Sequence, residues 1–292
     1  MKKQVFVITA LLTVYLVWGS TFLGIRIGLD GGFPPLLLIG LRFLLAGALL
    51  YGFARWSGEP RGTWKDWEES ALLGFLLLVC GPGLVAWSEQ WLSSSLTALL
   101  VSTSPVWVTV LDSKESLSKS RLVGVGLGLL GVAWLVGASL TLSGHNVLLG
   151  VAGCLLSALA WAIGSLRAYR RPRKRGWIFN SGLQMLFAGG FLSVLGLVWG
   201  ERLVLASMEM QAWLALGYLT FFGSVIAFGA YTWLLNNTSP ETLSTHSYVN
   251  PMVAVLLGFY LGGESLSQQA GVGAALALLG VLLLAAPRRQ VG

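Results

Sequence analysis

Charge is scarce in this chain of 292 residues: Asp, Glu, Lys and Arg together make up 11%, about half the share a soluble domain carries. A surface facing water cannot be assembled from so few charges. Cysteine is scarcer still. Cys80 and Cys154 are the two in the chain, and both fall inside long apolar runs, which excludes a disulfide framework and a Cys-based metal site. Asp and Glu are missing from those runs altogether. The sequence also lacks the H-E-x-x-H, paired intramembrane Asp, G-x-S-x-G and D-x-x-x-D patterns of membrane enzymes, and the filter-like loop or ring of charges that marks a channel. No cofactor or metal is expected.

What fills the chain instead is apolar: 55% of residues are hydrophobic, in runs of the roughly 20 residues that a helix needs to span a hydrocarbon core. The runs are too long and too uniformly apolar for barrel strands, which alternate with period two. They predict an all-α membrane protein with ten transmembrane helices at 5–25, 33–53, 71–87, 94–111, 122–142, 147–166, 177–199, 213–235, 242–262 and 270–286. Lys2 and Lys3 before the first run resemble a secretory signal, but the run is too long for one and no small-x-small cleavage site precedes Arg26. It is read as an uncleaved first helix.

The segments at 2–3, 55–65, 114–121, 167–175 and 288–289 hold sixteen of the 19 Lys and Arg residues. In a ten-helix chain these all fall on one side, which puts both termini in the cytoplasm of a bacterial inner membrane. The net charge of +7 and pI near 9.7 then follow from topology and call for no nucleic acid partner.

An odd number of helices per half turns one half upside down relative to the other. Glu115-Ser-Leu-Ser118 recurs as Glu264-Ser-Leu-Ser267 and Leu129-Leu-Gly-Val132 as Leu278-Leu-Gly-Val281, both 149 residues on; Pro105 matches Pro251 at 146 and Trp18 matches Trp161 at 143. These ordered matches divide the chain into two inverted five-helix repeats, 1–143 and 144–292. Gly124, Gly128 and Gly131 correspond to Gly273, Ala277 and Gly280. The resulting stripe of small residues is a packing seam within the bundle, or a contact between two copies of a homodimer; a monomer is the simpler reading.

Leu16-Val-Trp-Gly-Ser-Thr-Phe22 with Arg26, Leu41-Arg-Phe43, Ser104-Pro105, Tyr248-Val-Asn-Pro251 and Gly262-Gly-Glu-Ser-Leu266 together resemble the drug/metabolite transporter superfamily, in particular its EamA-type inner-membrane members. The resemblance covers nearly the whole chain. It implies two inverted halves around a central cavity, and small metabolites such as amino acids as substrates, commonly exported. In one departure, 10 steps separate Pro105 from Glu115 against 13 from Pro251 to Glu264, so the fourth helix is expected to end early.

Pro105 and Pro251 are expected to bend or break their helices near mid-span, freeing backbone groups for a substrate. Helical spacing gathers Trp18 with Tyr15 and Thr21; Thr103 with Trp107; Ser157, Trp161 and Ser165; Ser224, Phe228 and Tyr231; and Thr242, His246 and Asn250. Trp18 and Trp161 are expected to wall opposite sides of the cavity. Arg42 lies inside its span, where a charge needs backbone carbonyls, Glu89 or the substrate as partner. The candidate binding residues are thus Trp18, Thr21, Arg42, Thr103, Trp161, Ser165, Tyr231, His246 and Asn250, suited to a molecule with an apolar body and a polar end. Proton coupling would pass through His246 or Glu89. Trp56, Trp64, Trp177, Trp199 and Trp213 read as interfacial belt residues. The partners expected are a small molecule and the lipid bilayer. The alternatives are a translocator of phosphate-bearing metabolites, which needs more Lys or Arg in its cavity than Arg42 and Arg26 supply, and a membrane enzyme using Ser224 with His246.

Overall fold

The computed structural model describes residues 2–112, 119–140, 146–170, 176–238, 242–243, 245–265 and 267–285. Among them the chain is helical without a strand, and its helices form ten columns: α1 (Lys3–Asp30), α2 (Pro35–Trp56), α3 (Trp64–Ser88), α4 (Ser94–Leu111), α5 (Lys119–Leu140), α6 (Val147–Arg170), α7 (Trp177–Val198), α8 (Met210–Leu235), α9 (His246–Tyr260) and α10 (Gln268–Ala285). Seven of these, α1 to α4 and α6 to α8, are long and apolar enough to cross a membrane; α5 and α10 carry shorter apolar stretches, Leu122–Leu135 and Gln268–Leu283. The ninth column is shorter than expected: a turn at Thr245 precedes its 15 residues, or about 22 Å of helix at 1.5 Å per residue.

Local chemistry sets several of the starts. Pro35 lies in the first turn of α2, where its missing N–H leaves no donor unsatisfied. A capping box opens α3 earlier than hydropathy alone suggests: Asp66 Oδ2 accepts from the Thr63 N–H at 2.8 Å and Thr63 Oγ1 accepts from the Asp66 N–H at 3.4 Å, drawing the polar turn after Trp64 into the helix. Ser93 caps α4 by accepting from the Leu96 N–H.

Two carboxylates from distant loops cap helices as well. Glu201, just after α7, accepts from the Leu36 and Leu37 N–H groups at 3.1 and 2.9 Å. Glu264, between α9 and α10, accepts from the Ser94 and Ser95 N–H groups at 2.8 and 3.0 Å and from the Ser95 hydroxyl. A negative charge is favoured at a helix N-terminus. Burial raises the Glu201 carboxyl, with the two N–H bonds pulling the other way. Burial also pushes Glu264 up, but the bonds from Ser95 and Ser94 outweigh it and hold the group below its ordinary range.

The exterior is apolar in helical stripes. Helix α2 exposes Leu45, Leu49 and Phe53 and buries Phe43, Gly47 and Leu50 on its other side, the arrangement of a helix facing lipid outward. Its buried side meets α7. A Cβ added at Gly182 would lie 2.5 Å from the Tyr51 nitrogen, and one at Gly47 would lie 2.7 Å from the Leu186 nitrogen. Helices α5 and α10 meet in the same way, a Cβ at Gly280 falling 2.5 Å from the Gly128 nitrogen and one at Gly131 against Ala277. The small-residue stripe therefore packs α5 on α10 within the chain. Of the repeated motif, Glu115 to Ser118 lies outside the described residues, as do Lys114, the basic residues from Arg171 to Arg175, and Arg288 and Arg289 of the loop count.

Candidate functional site

Four of the columns lose regular helix near their centres. In α1 the turn Val14–Trp18 and in α8 the segment Leu219–Ile226 widen to i→i+5 hydrogen bonding, a local form often found at functional sites. In α3 the widened segment Phe75–Gly83 contains Pro82, and Gly81 departs from helical geometry with ψ −108°. Helix α4 is interrupted at Ser102 and Thr103, with Pro105 in the first turn of its second half. At Pro251, in contrast, α9 runs through as continuous helix, and the proline sits in its first turns rather than at mid-span.

These segments surround a cavity of about 830 Å³, its mouth included. Trp18, Thr21, Arg42, Trp161, His246, Asn250 and Pro251 line it. So do Phe22, Ile25, Phe43, Gly81, Pro82, Ser102, Ser104, Gly223, Phe228 and Ser247, none of them singled out as binding residues from the sequence. Gly81-Pro82-Gly83 is the missed signal that was legible, since a breaker cluster inside an apolar run marks an interrupted helix.

The side chains satisfy the backbone that the irregular segments leave free. Trp18 Nε1 donates to the Gly223 carbonyl at 3.1 Å, and the Ser157 hydroxyl to the Gly81 carbonyl at 3.2 Å. Trp18 and Trp161 do not face each other across the cavity. Their rings meet edge to face at 5.4 Å, and His246 at 5.6 and 6.5 Å completes one aromatic wall, with Tyr231 packed behind it at 5.0 and 5.5 Å. Two indoles one ring apart cannot stand on opposite sides of a substrate.

Arg42 is buried at 3% exposure. Its Nε donates to the Ser224 hydroxyl at 2.7 Å, and its guanidinium carbon lies 5.0 Å from the Phe43 ring centre. Among the described residues its two terminal nitrogens make no hydrogen bond and no Asp or Glu lines the cavity. Glu89 is not its partner. The Glu89 carbonyl instead accepts from Arg26 Nη1 at 2.9 Å. Asn250, oriented so that its amide nitrogen faces the His246 and Tyr15 carbonyls at 3.1 and 3.3 Å, keeps its amide oxygen for another donor. His246 Nδ1 lies 3.1 Å from the Ser247 hydroxyl. The Ser224 hydroxyl donates to the Leu219 carbonyl, so Ser224 and His246 serve different partners and do not form a dyad.

The other expected residues lie behind the lining. Thr103 Oγ1 donates to the Leu100 carbonyl at 2.7 Å. Ser165 and Tyr231 share a hydrogen bond at 3.2 Å, and Pro105 contributes through its neighbour Ser104, which does line the cavity. Of the belt residues, Trp56, Trp64, Trp199 and Trp213 are exposed, whereas Trp177 packs over Gly229.

A model of the EamA-like transporter family matches residues 5–137 and again residues 148–286. The chain belongs to the EamA-like transporter family. The uncharacterized inner membrane transporter YedA of Escherichia coli is 38% identical over 262 residues, covering 89% of this chain and 84% of YedA. A probable amino-acid metabolite efflux pump of Salmonella typhimurium is 27% identical, over 93% of this chain and 92% of its own. A chain in a solved crystal structure superposes with a TM-score of 0.68 over 94% of both chains at 20% identity, a likeness of fold. This EamA-like chain is accordingly a transmembrane protein of a transporter family, with relatives named for the inner membrane.

Proposed function

We propose that this EamA-like protein is a secondary transporter, an exporter, of small organic metabolites that carry a carboxylate on an apolar body. The observation that carries the reading is Arg42: a cation buried in a cavity with no carboxylate among its lining residues and with terminal nitrogens left unengaged among the described residues. A buried charge of this kind is costly unless it meets an opposite one, and a carboxylate accepts from a guanidinium in a paired geometry. The aromatic wall receives the apolar body, and the Asn250 amide oxygen accepts from an amine or hydroxyl. The Salmonella relative's name, amino-acid metabolite efflux, points to the same class. A phosphate-bearing substrate fits less well, since a single Arg meets its two or more charges.

The chain crosses the membrane ten times as two inverted halves, 1–143 and 144–292, with both termini cytoplasmic. Several features support that reading. The family model matches once in each half. The closest helix pairs, α2 with α7 and α5 with α10, join each helix to its counterpart in the other half. Glu201 after α7 caps α2, and Glu59 after α2 lies against Gly176 at the start of α7. Alternating access follows from the halves rocking about the interrupted helices.

The test is uptake into liposomes by purified protein against a panel of amino acids and other small carboxylates. Saturable uptake of at least one carboxylate, suppressed in Arg42→Gln, is expected; flux that rises linearly without saturation favours a channel and contradicts the reading.

A further inference from the structure

The end of α3 carries a second feature, separate from the cavity. Glu89 follows its last residue, is fully buried, and neither of its carboxylate oxygens has a hydrogen-bond partner among the described residues. The backbone around it is well anchored: its N–H donates to the Val85 carbonyl at 3.0 Å and its carbonyl accepts from Arg26. The side chains of Ser88, Ser94 and Thr97 are buried as well. Ser88 and Thr97 sit beside the Cys154 thiol on α6, and the Ser94 N–H is held by Glu264. None of these side chains lines the Arg42 cavity.

The charges facing Glu89 are Arg26 and Asp30 of α1 and Glu264 of the loop before α10, with the Cys154 thiol facing from α6. Arg26 is shared between the Asp30 carboxylate at 2.9 Å and the Glu89 carbonyl, and it makes no hydrogen bond to the Glu89 carboxylate. Burial first, and then Glu264, hold the Glu89 carboxyl well above the usual range, opposed by Arg26. An ionised carboxylate enclosed without hydrogen bonds is strongly disfavoured, whereas a protonated one is neutral and gains a donor that a neighbouring hydroxyl can accept.

Both helices that meet here, α3 and α4, are interrupted. Glu89 follows the break at Gly81 and Pro82 in α3, and Ser94 precedes the break at Ser102 and Thr103 in α4; both breaks line the cavity. A movement about both breaks would alter the cavity and the enclosure of Glu89 together.

We propose that Glu89 is the site of a coupling proton, bound as a carboxylic acid while the ends of α3 and α4 are closed over it and released to water when they part. The site rests on the transporter reading for its coupling, but the proton itself is detected without any substrate. Infrared spectra of the protein in liposomes, recorded as pH is raised, are expected to show at neutral pH the carbonyl band of a protonated carboxylic acid. That band is expected to fade at higher pH in the parent and to be absent from Glu89→Gln. Glu264→Gln removes the neighbouring negative charge and is expected to move the fading to lower pH, so the test stands even if Glu89→Gln fails to fold. A parent without the band, a band that persists in folded Glu89→Gln, or a titration unmoved in Glu264→Gln overturns the proposal. For the carboxylate that passes the uptake panel, an imposed pH gradient is expected to change uptake several-fold in the parent and not in Glu89→Gln. Equal gradient dependence in both proteins also overturns it, whereas a parent that transports nothing overturns the transporter reading and leaves the infrared result intact.

Discussion

The two seams, α2 on α7 and α5 on α10, and the helices around the cavity solve opposite problems with similar amino acids. In the seams, glycines let regular helices approach until one backbone touches the other, as where Gly182 meets Tyr51 and Gly280 meets Gly128. Lipid gives no hydrophobic drive for such contact, so close packing has to supply it. Around the cavity, glycine and proline do the reverse: at Gly81-Pro82-Gly83 they open the helix and leave carbonyls that Ser157 must satisfy. One set of helices is rigid by close approach, and the other is deformable because its backbone bonding is already broken. A carrier needs both.

The largest expected effect breaks a seam. Gly182→Val forces a side chain into the Tyr51 backbone, where no flexible group can give way, and is expected to abolish folded, monodisperse protein on size-exclusion chromatography. Gly190→Val on the same helix meets open space and is expected to leave the elution profile as in the parent. Next in size is the cavity. Arg42→Gln removes charge-assisted hydrogen bonds that contribute roughly 1.5 to 3 kcal/mol, so the apparent substrate constant is expected to rise about tenfold to a hundredfold while the thermal unfolding temperature changes little. Asn250→Ala removes a neutral partner and is expected to raise the same constant by roughly tenfold.

The smallest effect concerns Glu264, half-buried in its loop. Its carboxyl lies below its ordinary 4.5 in the folded protein, so its contribution is present above that value and is lost as pH falls through the folded one. Thermal stability of the parent is expected to drop over that acidic window, by about 1 kcal/mol or less after allowance for solvent screening. A Glu264→Gln protein with the same acid-side slope would show that the cap contributes nothing measurable.

Much of this contrast could be read from the residues before any helix was placed. Apolar run length gave the class, and the duplicated Leu-Leu-Gly-Val pointed to the seam glycines of α5 and α10. The other seam, with Gly40, Gly47, Gly182 and Gly189, carries the same seven-residue spacing but no repeated motif to draw the eye, and spacing alone does not say which helix a stripe meets. For the same reason helical spacing alone sets Trp18 and Trp161 on facing walls although they touch. Side chains such as Thr103, Ser165 and Tyr231 share faces with lining residues yet spend their hydroxyls on protein partners, which helical periodicity cannot distinguish from a group turned toward a ligand. The pairing of Arg42 with Ser224 joins α2 to α8, and no local pattern encodes it.

The most direct measurement compares a transported amino acid with its carboxyl-amide in liposomes containing the parent or Arg42→Gln. The account predicts that the parent takes up the acid saturably and discriminates against the amide by about tenfold or more, and that Arg42→Gln loses the discrimination. Equal uptake of acid and amide by the parent, or discrimination that survives in folded Arg42→Gln, would contradict it.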